Sequence, residues 1–326
     1  MEIGIQMAEI NKSSVNLLPS TVAGGSNTIV LKNVRGCSVE INLFGAQVTS
    51  WKLETGQELL FTTGKGFFSR GKSVRGGIKI CFPRISTPTH IEEHGFARNM
   101  LWKIEDNPCP IPTTSNTAAN NTAPSKNASV DIILKTSENW NNSYEFRLRF
   151  TLGANGDLML TSRIRNTNLD GRSFKFVFAY QNYIRVGDIG DVRIEGLETL
   201  DYFDNSKEQR ERHTEQNSAV SFESEVDKIY LSAPTRITTI DHGGRFSIVL
   251  RKDGGLSDAV VWNPWEKTSK TLTDLGNKDF NRMVVVGAAA VEKPICLKPG
   301  EEWTANQILS FSPTSYNCDE PEPSFR

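Results

Sequence analysis

The segment Tyr144-Glu145-Phe146-Arg147-Leu148-Arg149-Phe150 alternates apolar and charged residues without a fault. A period of two suits a pleated strand and no helix, so its aromatic and aliphatic side chains share one face and its charges the other. Leu158 to Ile164 follows across Gly153-Ala154-Asn155-Gly156-Asp157, a run with the composition of a turn. Thr28 to Leu31 and Cys37 to Leu43 repeat the arrangement around the turn-forming Arg35-Gly36. No window of useful length places apolar residues at helical spacing. Many short strands separated by Gly, Asn and Asp predict an all-β sandwich, and 326 residues with 37% hydrophobic content suffice for one core in a single domain.

Composition narrows the function classes. A formal net charge of −1 gives no electrostatic case for nucleic acid or an anionic membrane as partner. The five cysteines (Cys37, Cys81, Cys109, Cys296, Cys318) are odd in number, scattered and without a Cys-x-x-Cys pair. That pattern predicts free thiols rather than a disulfide framework or a zinc site. No apolar run approaches the roughly 18 residues of a membrane-spanning helix, so no transmembrane segment is expected. The first 25 residues carry Glu2 and Glu9 and a single lysine, unlike an organelle transit peptide. An organelle location would need a signal removed or lying upstream. Residues 106 to 129, with Pro108, Pro110, Pro112 and Pro124 among Asn, Thr, Ser and Ala, read as a surface loop.

The run Phe174 to Ile184 divides by face. Phe174, Phe176, Phe178 and Tyr180 fall on one side as a core stripe; Lys175, Val177, Ala179 and Gln181 fall on the other. Taken alone, Gln181 reads as an exposed polar strand residue. His213 and His242 lie in turn-rich polar segments and read as surface groups. His90-Ile91-Glu92-Glu93-His94 fits the inverted zinc-peptidase pattern H-x-x-E-H, but that chemistry needs a helix. Pro88 and Gly95 leave at most about two turns for one. The metalloprotease reading is set aside, and neither a metal nor a cofactor is expected.

Ser73-Val74-Arg75-Gly76-Gly77-Ile78-Lys79-Ile80-Cys81-Phe82-Pro83, followed by His94-Gly95-Phe96-Ala97-Arg98-Asn99, resembles the signature of the aldose 1-epimerase superfamily in its hexose-6-phosphate mutarotase branch. The likeness continues through Glu195 to Tyr202, Val261-Trp262-Asn263-Pro264-Trp265 and Glu292-Lys293-Pro294, and is similar to plant members. It implies a galactose-mutarotase-like β-supersandwich over residues 27–316, between a flexible N-terminal segment 1–26 and a disordered tail 317–326. It also implies site roles. Arg75 and Arg98 match arginines that bind the sugar phosphate, a task suited to the planar, permanently charged guanidinium. His94 matches a histidine that helps hold the substrate, and Asp274 and Trp262 match cleft positions. Arg84 stands where the family usually has glutamine.

Two positions depart from the family's chemistry. The family places a histidine, the acid that protonates the ring oxygen, where this chain has Gln181. It places a glutamate or aspartate, the base for the anomeric hydroxyl, where this chain has Gly287. Each positioned acid or base is worth about 10² to 10⁴ in rate. Glu292 is the nearest substitute in sequence, but it lies an odd five residues past Gly287, on the opposite face of a continuous strand. The expectation from these departures is a protein that is not an enzyme, with a vestigial site of Arg75, His94, Arg98 and Asp274. The resemblance to plant members then implies protein partners. These would be subunits of the chloroplast NAD(P)H dehydrogenase-like complex of cyclic electron flow, met peripherally on the stromal side of the thylakoid, with a cytoplasmic location as the alternative. The other readings are a glucose-6-phosphate 1-epimerase with rearranged groups, or a module that binds sugar phosphates. If only the two groups were lost, Gln181→His with Gly287→Glu would restore activity.

Overall fold

The structure is a computed structural model and describes residues 13–18, 28–64, 74–85, 94–105, 127–135, 140–207 and 211–314. In chain order the strands are β1 (Ser14–Leu18), β2 (Thr28–Lys32), β3 (Ser38–Asn42), β4 (Gln47–Lys52), β5 (Ile78–Cys81), β6 (Lys103–Ile104), β7 (Ala128–Lys135), β8 (Tyr144–Leu152), β9 (Leu158–Asn166) and β10 (Phe174–Arg185). They continue with β11 (Val192–Glu195), β12 (Asp201–Asp204), β13 (Arg212–Thr214), β14 (Val226–Tyr230), β15 (Arg236–Asp241), β16 (Phe246–Asp253), β17 (Asp258–Asn263), β18 (Met283–Leu297) and β19 (Glu302–Pro313). The one α-helix among the described residues, α1, is five residues long (Trp265–Ser269).

The strands form two antiparallel sheets. Eleven run in the order β1-β2-β3-β4-β5-β10-β18-β17-β14-β12-β13 and eight in the order β11-β15-β16-β19-β9-β8-β7-β6. The chain is therefore the all-β sandwich that its alternation predicts. On β8 the period holds from end to end, with Tyr144, Phe146, Leu148, Phe150 and Leu152 all buried. The Phe174, Phe176, Phe178, Tyr180 stripe of β10 is core as well. Phe82 sits at the centre of the aromatic packing, with Phe96, Trp140, Tyr144, Phe146 and Phe176 all within 6 Å centroid to centroid. Polar side chains also join the sheets. Tyr180 Oη lies 2.6 Å from Ser162 Oγ, and Asn182 and Gln307 exchange amide hydrogen bonds of 3.1 and 2.8 Å. Buried amides are tolerated when each donor finds an acceptor, and Asn182 Nδ2 also reaches the Val286 carbonyl.

Three expectations need adjustment. Ser14–Leu18, within the segment expected to be flexible, pairs along its length with β2 as an edge strand, Val15 opposite Leu31 and Leu17 opposite Ile29. Backbone pairing to an existing sheet ordered a segment whose polar composition gave no such signal. Of the expected loop 106–129, residues 106–126 lie outside the described residues, as does the tail 317–326, and Ala128 already begins β7. The third concerns β18, which is not a continuous strand against β10. Phe178 faces Ala290 but Phe176 faces Ile295, so three extra residues bulge out of β18. The Asp258 carboxylate accepts the backbone N–H groups of Val291 (2.7 Å) and Glu292 (2.8 Å) there. A bulge breaks the two-residue alternation, and the odd step from Gly287 no longer turns Glu292 away from Gln181's face.

The large sheet is strongly curved on the side away from the core. Arg212 on β13 and Glu292 on β18 form a 2.5 Å ion pair although four strand steps separate them. On a flat sheet that gap would be about 19 Å, more than the two side chains can span. The outer face is thus concave.

Candidate active site

That concavity holds a cleft of about 410 Å³, within the usual range for small-molecule sites. β10 contributes Val177, Gln181 and Tyr183 to its floor, β17 adds Val260 and Trp262, and the loop before β5 adds Arg75. One end is cationic. Arg75 Nε donates to Asp274 Oδ1 at 2.8 Å and its guanidinium lies 5.6 Å from the Trp262 ring centroid. Arg98, buried behind the floor, donates from Nη2 to Gln181 Oε1 at 2.8 Å. His94 borders the cleft from a turn, at φ 75°. His90 and Glu93 of the H-x-x-E-H pattern lie outside the described residues.

Electrostatics set the protonation of this end. His94 is held well below the ordinary histidine range, first by burial and then by the charges of Arg98, Lys79 and Arg75. Its imidazole is neutral, and buried Nδ1 has no hydrogen-bond partner among the described residues; neither has Arg98 Nε. Lys79, Cα partner of Gln181 across the β5–β10 ladder, is buried and also held well below the usual lysine range by burial and by Arg98 and Arg75.

Carboxylates also line the cleft, Asp204 on β12, Asp227 on β14 and Glu292 in the β18 bulge, and Lys207, also in the lining, lies 3.8 Å from the Asp204 carboxylate. The Asp227 carboxyl is pushed up to about 6, mainly by burial and further by Glu225 and Asp204, against the hydrogen bond it accepts from Asn205 Nδ2 at 3.0 Å. A carboxyl that titrates there exchanges protons near neutral pH. Glu292 is tied to Arg212.

The sequence-named positions therefore separate. Arg75, His94, Gln181 and Trp262 border the cleft; Arg98 and Asp274 act on it through Gln181 and Arg75. Arg84 is exposed and does not line it, whereas its neighbour Ile85 does. Gly287 is buried under the floor, and a Cβ built there lands on the Tyr180 carbonyl oxygen, with a Val260 methyl at 3.0 Å. Sequence reading missed Asp227 and Lys79 because a lone Asp or Lys in a strand ordinarily faces solvent; only the curvature and burial single them out.

The sequence pattern of the aldose 1-epimerase family matches residues 27–310. The chain belongs to the aldose 1-epimerase family. A protein of Cenchrus ciliaris with the provisional name glucose-6-phosphate 1-epimerase is 50% identical over 303 residues, covering 92% of this chain and 89% of that one. Among solved structures, a provisionally named mutarotase from Salmonella typhimurium superposes with a TM-score of 0.74 at 19% identity, covering 92% of this chain and 97% of its own. A galactose mutarotase-like protein from Clostridium acetobutylicum gives 0.67 at 15% identity, over 93% and 99%. These two establish the galactose mutarotase-like fold.

The family assignment corrects one expectation. Gln181 and Gly287 pointed to a chain that is not an enzyme, but the family and the 50% identical relative are both named for epimerase activity, which points to an enzyme. The physical reason is that ring opening needs one proton donor and one acceptor in reach of the sugar, not at two fixed strand positions.

Proposed function

We propose that this aldose 1-epimerase family member interconverts the anomers of a phosphorylated hexose, as a glucose-6-phosphate 1-epimerase. The single observation that carries this reading is a cleft lined both by the Arg75 guanidinium and by the Asp227 carboxyl, which is poised near neutral pH. Arg75 binds the phosphate, with Arg98 fixing the Gln181 amide beside it. Neutral His94 donates or accepts a hydrogen bond to the sugar. Asp227 takes the proton of the anomeric hydroxyl. Magnetisation-exchange NMR with glucose 6-phosphate is expected to show catalysed exchange, and a rate no faster than buffer would sink the reading. Arg75→Ala is expected to weaken binding of glucose 6-phosphate by about 10-fold or more while leaving that of glucose unchanged, measured by calorimetry. Equal loss for both sugars would remove the phosphate from that end.

A second reading concerns partners. From the resemblance to plant members we infer contact with subunits of the chloroplast NAD(P)H dehydrogenase-like complex on the stromal side of the thylakoid. It is favoured by β1, an edge strand whose Val15 (49%) and Leu17 (51%) are exposed; open backbone groups beside apolar side chains suit strand addition by a partner. No helix among the described residues is long and apolar enough to cross a membrane, so membrane attachment would run through that contact. Purification from native membranes in mild detergent should recover the complex with the wild-type protein and lose it with Val15→Asp/Leu17→Asp. Co-purification unchanged by that variant would overturn this surface.

A further inference from the structure

Asn205 follows β12 and makes two hydrogen bonds to one residue. Its backbone N–H donates to the Asp227 carbonyl at 2.8 Å, continuing the β12–β14 ladder one step past Asp204 and Lys228. Its side-chain Nδ2 donates to Asp227 Oδ1 at 3.0 Å. Residues directly opposite in an antiparallel pair put their side chains on one face, and both of these line the cleft. An asparagine at a strand end ordinarily serves its own turn. Here that task belongs to Asp204, whose Oδ1 accepts from Ser206 N at 3.0 Å and from Ser206 Oγ at 2.6 Å, so the Asn205 amide is left for Asp227.

The charged groups around Asp227 are each engaged elsewhere. Asp204 pairs with Lys207 at 3.8 Å, Glu225 ahead of β14 accepts from Thr268 Oγ1 on α1, and Glu292 in the β18 bulge pairs with Arg212. Arg75, beside the Trp262 ring of the residue that partners Asp227 on β17, is taken by Asp274. Among the described residues no cation pairs with the Asp227 carboxyl, and the side chain that donates to it is that of Asn205. We propose that Asn205 is a positioning residue for the anomeric proton transfer: its amide holds Oδ1 of Asp227 and leaves Oδ2 as the oxygen that meets the anomeric hydroxyl. The inference rests on the mutarotase reading and names what aims the base of that same site.

In that transfer the O1–H bond breaks and an Oδ2–H bond forms, so the negative charge passes from Asp227 to O1 and no further reactant is consumed. The amide acts on it in two ways. With Oδ1 anchored to a residue whose own backbone is paired, the carboxyl cannot turn about Cβ–Cγ without losing a hydrogen bond, and Oδ2 stays aimed where a free carboxylate would rotate away. A hydrogen bond to a carboxylate also favours its charged form. Glu225 and Asp204 act in the opposite sense, so the Asn205 amide widens the pH range over which Asp227 can accept a proton.

Wild type, Asn205→Ala and Asn205→Asp would be compared by magnetisation-exchange NMR on glucose 6-phosphate as a function of pH, with melting temperature and binding of 1,5-anhydroglucitol 6-phosphate, which has no anomeric hydroxyl, as controls. Asn205→Ala is expected to lower kcat/KM at neutral pH by about 10-fold or more. Its rising limb should move up by about one pH unit, with affinity for the analogue within about twofold of wild type. Asn205→Asp, close to asparagine in shape, puts a second carboxylate where the donor was and should move the limb further up. A packing role predicts the reverse order, because aspartate keeps the shape that alanine loses. In protein labelled at aspartate ¹³Cγ, the signal missing from Asp227→Asn should shift its titration in the same order as the limb. A folded Asn205→Ala protein whose limb and Asp227 signal stay at their wild-type positions, or an Asn205→Asp protein that titrates as wild type, overturns the inference while leaving the mutarotase reading intact. A wild-type protein with no catalysed exchange overturns both.

Discussion

Gly287→Ala is expected to cost about 3 kcal/mol or more of stability, the upper end for overpacking a core. The added Cβ would meet the Tyr180 carbonyl oxygen on β10, which is backbone, and the Val260 methyl on β17 at 3.0 Å. No rotamer change can move a backbone carbonyl. Relief would require β10 and β18 to separate, and those two strands share the longest ladder of the large sheet. A glycine inside a strand often marks such a close approach of another chain segment. Urea unfolding followed by tryptophan fluorescence would measure the loss, and a midpoint within error of wild type would refute it. Gly287→Glu should fare worse, so the pair Gln181→His with Gly287→Glu fails as a route to restored activity: the position has closed, and the missing base cannot be put back there.

Asp227→Asn is expected to lower anomer exchange by about 10² to 10⁴, the worth of one positioned base, while the fold survives. Asparagine is close in shape, and its Oδ1 can still accept from Asn205. Two pH signatures separate a proton-transfer role from a packing role. In the wild type, kcat/KM should rise with pH through about 6, where the Asp227 carboxyl ionises. The variant should lack that limb. Stability should respond in the opposite direction. Because the folded-state value lies above the unfolded one, Asp227 contributes stability that is complete below about 4 and is lost as pH rises through about 6. The asparagine variant should lose this decline, so that it gains on the wild type as pH increases. A variant that keeps the wild-type rate and pH limb would remove Asp227 from the chemistry.

The fold was legible because its signal is local. Alternation on β8 or along Phe174 to Tyr180 fixes which face is buried wherever the strand pairs regularly. The same rule failed at Glu292, since the bulge it sits in is held by the carboxylate of Asp258, which lies in another part of the chain. The site was legible only in part. Arg75, His94 and Gln181 were found through motifs and do border the cleft. Asp227 belongs to no motif, and Lys79 stands inside the Ser73–Pro83 signature with nothing there to single it out; burial is what shifts both groups, and burial is a property of the assembled sheet.

By itself, then, the sequence determined an all-β sandwich, the core stripe of β10, and the absence of an ionisable side chain at Gln181 and Gly287, because strand period and side-chain identity are written residue by residue. The tertiary structure alone decided the rest: a large sheet curved enough for Arg212 to reach Glu292, a Gly287 with no room for a side chain, and a cleft whose desolvation shifts His94, Lys79 and Asp227. These depend on how closely distant strands approach and how much water they exclude, and neither quantity is carried by any one segment of the chain.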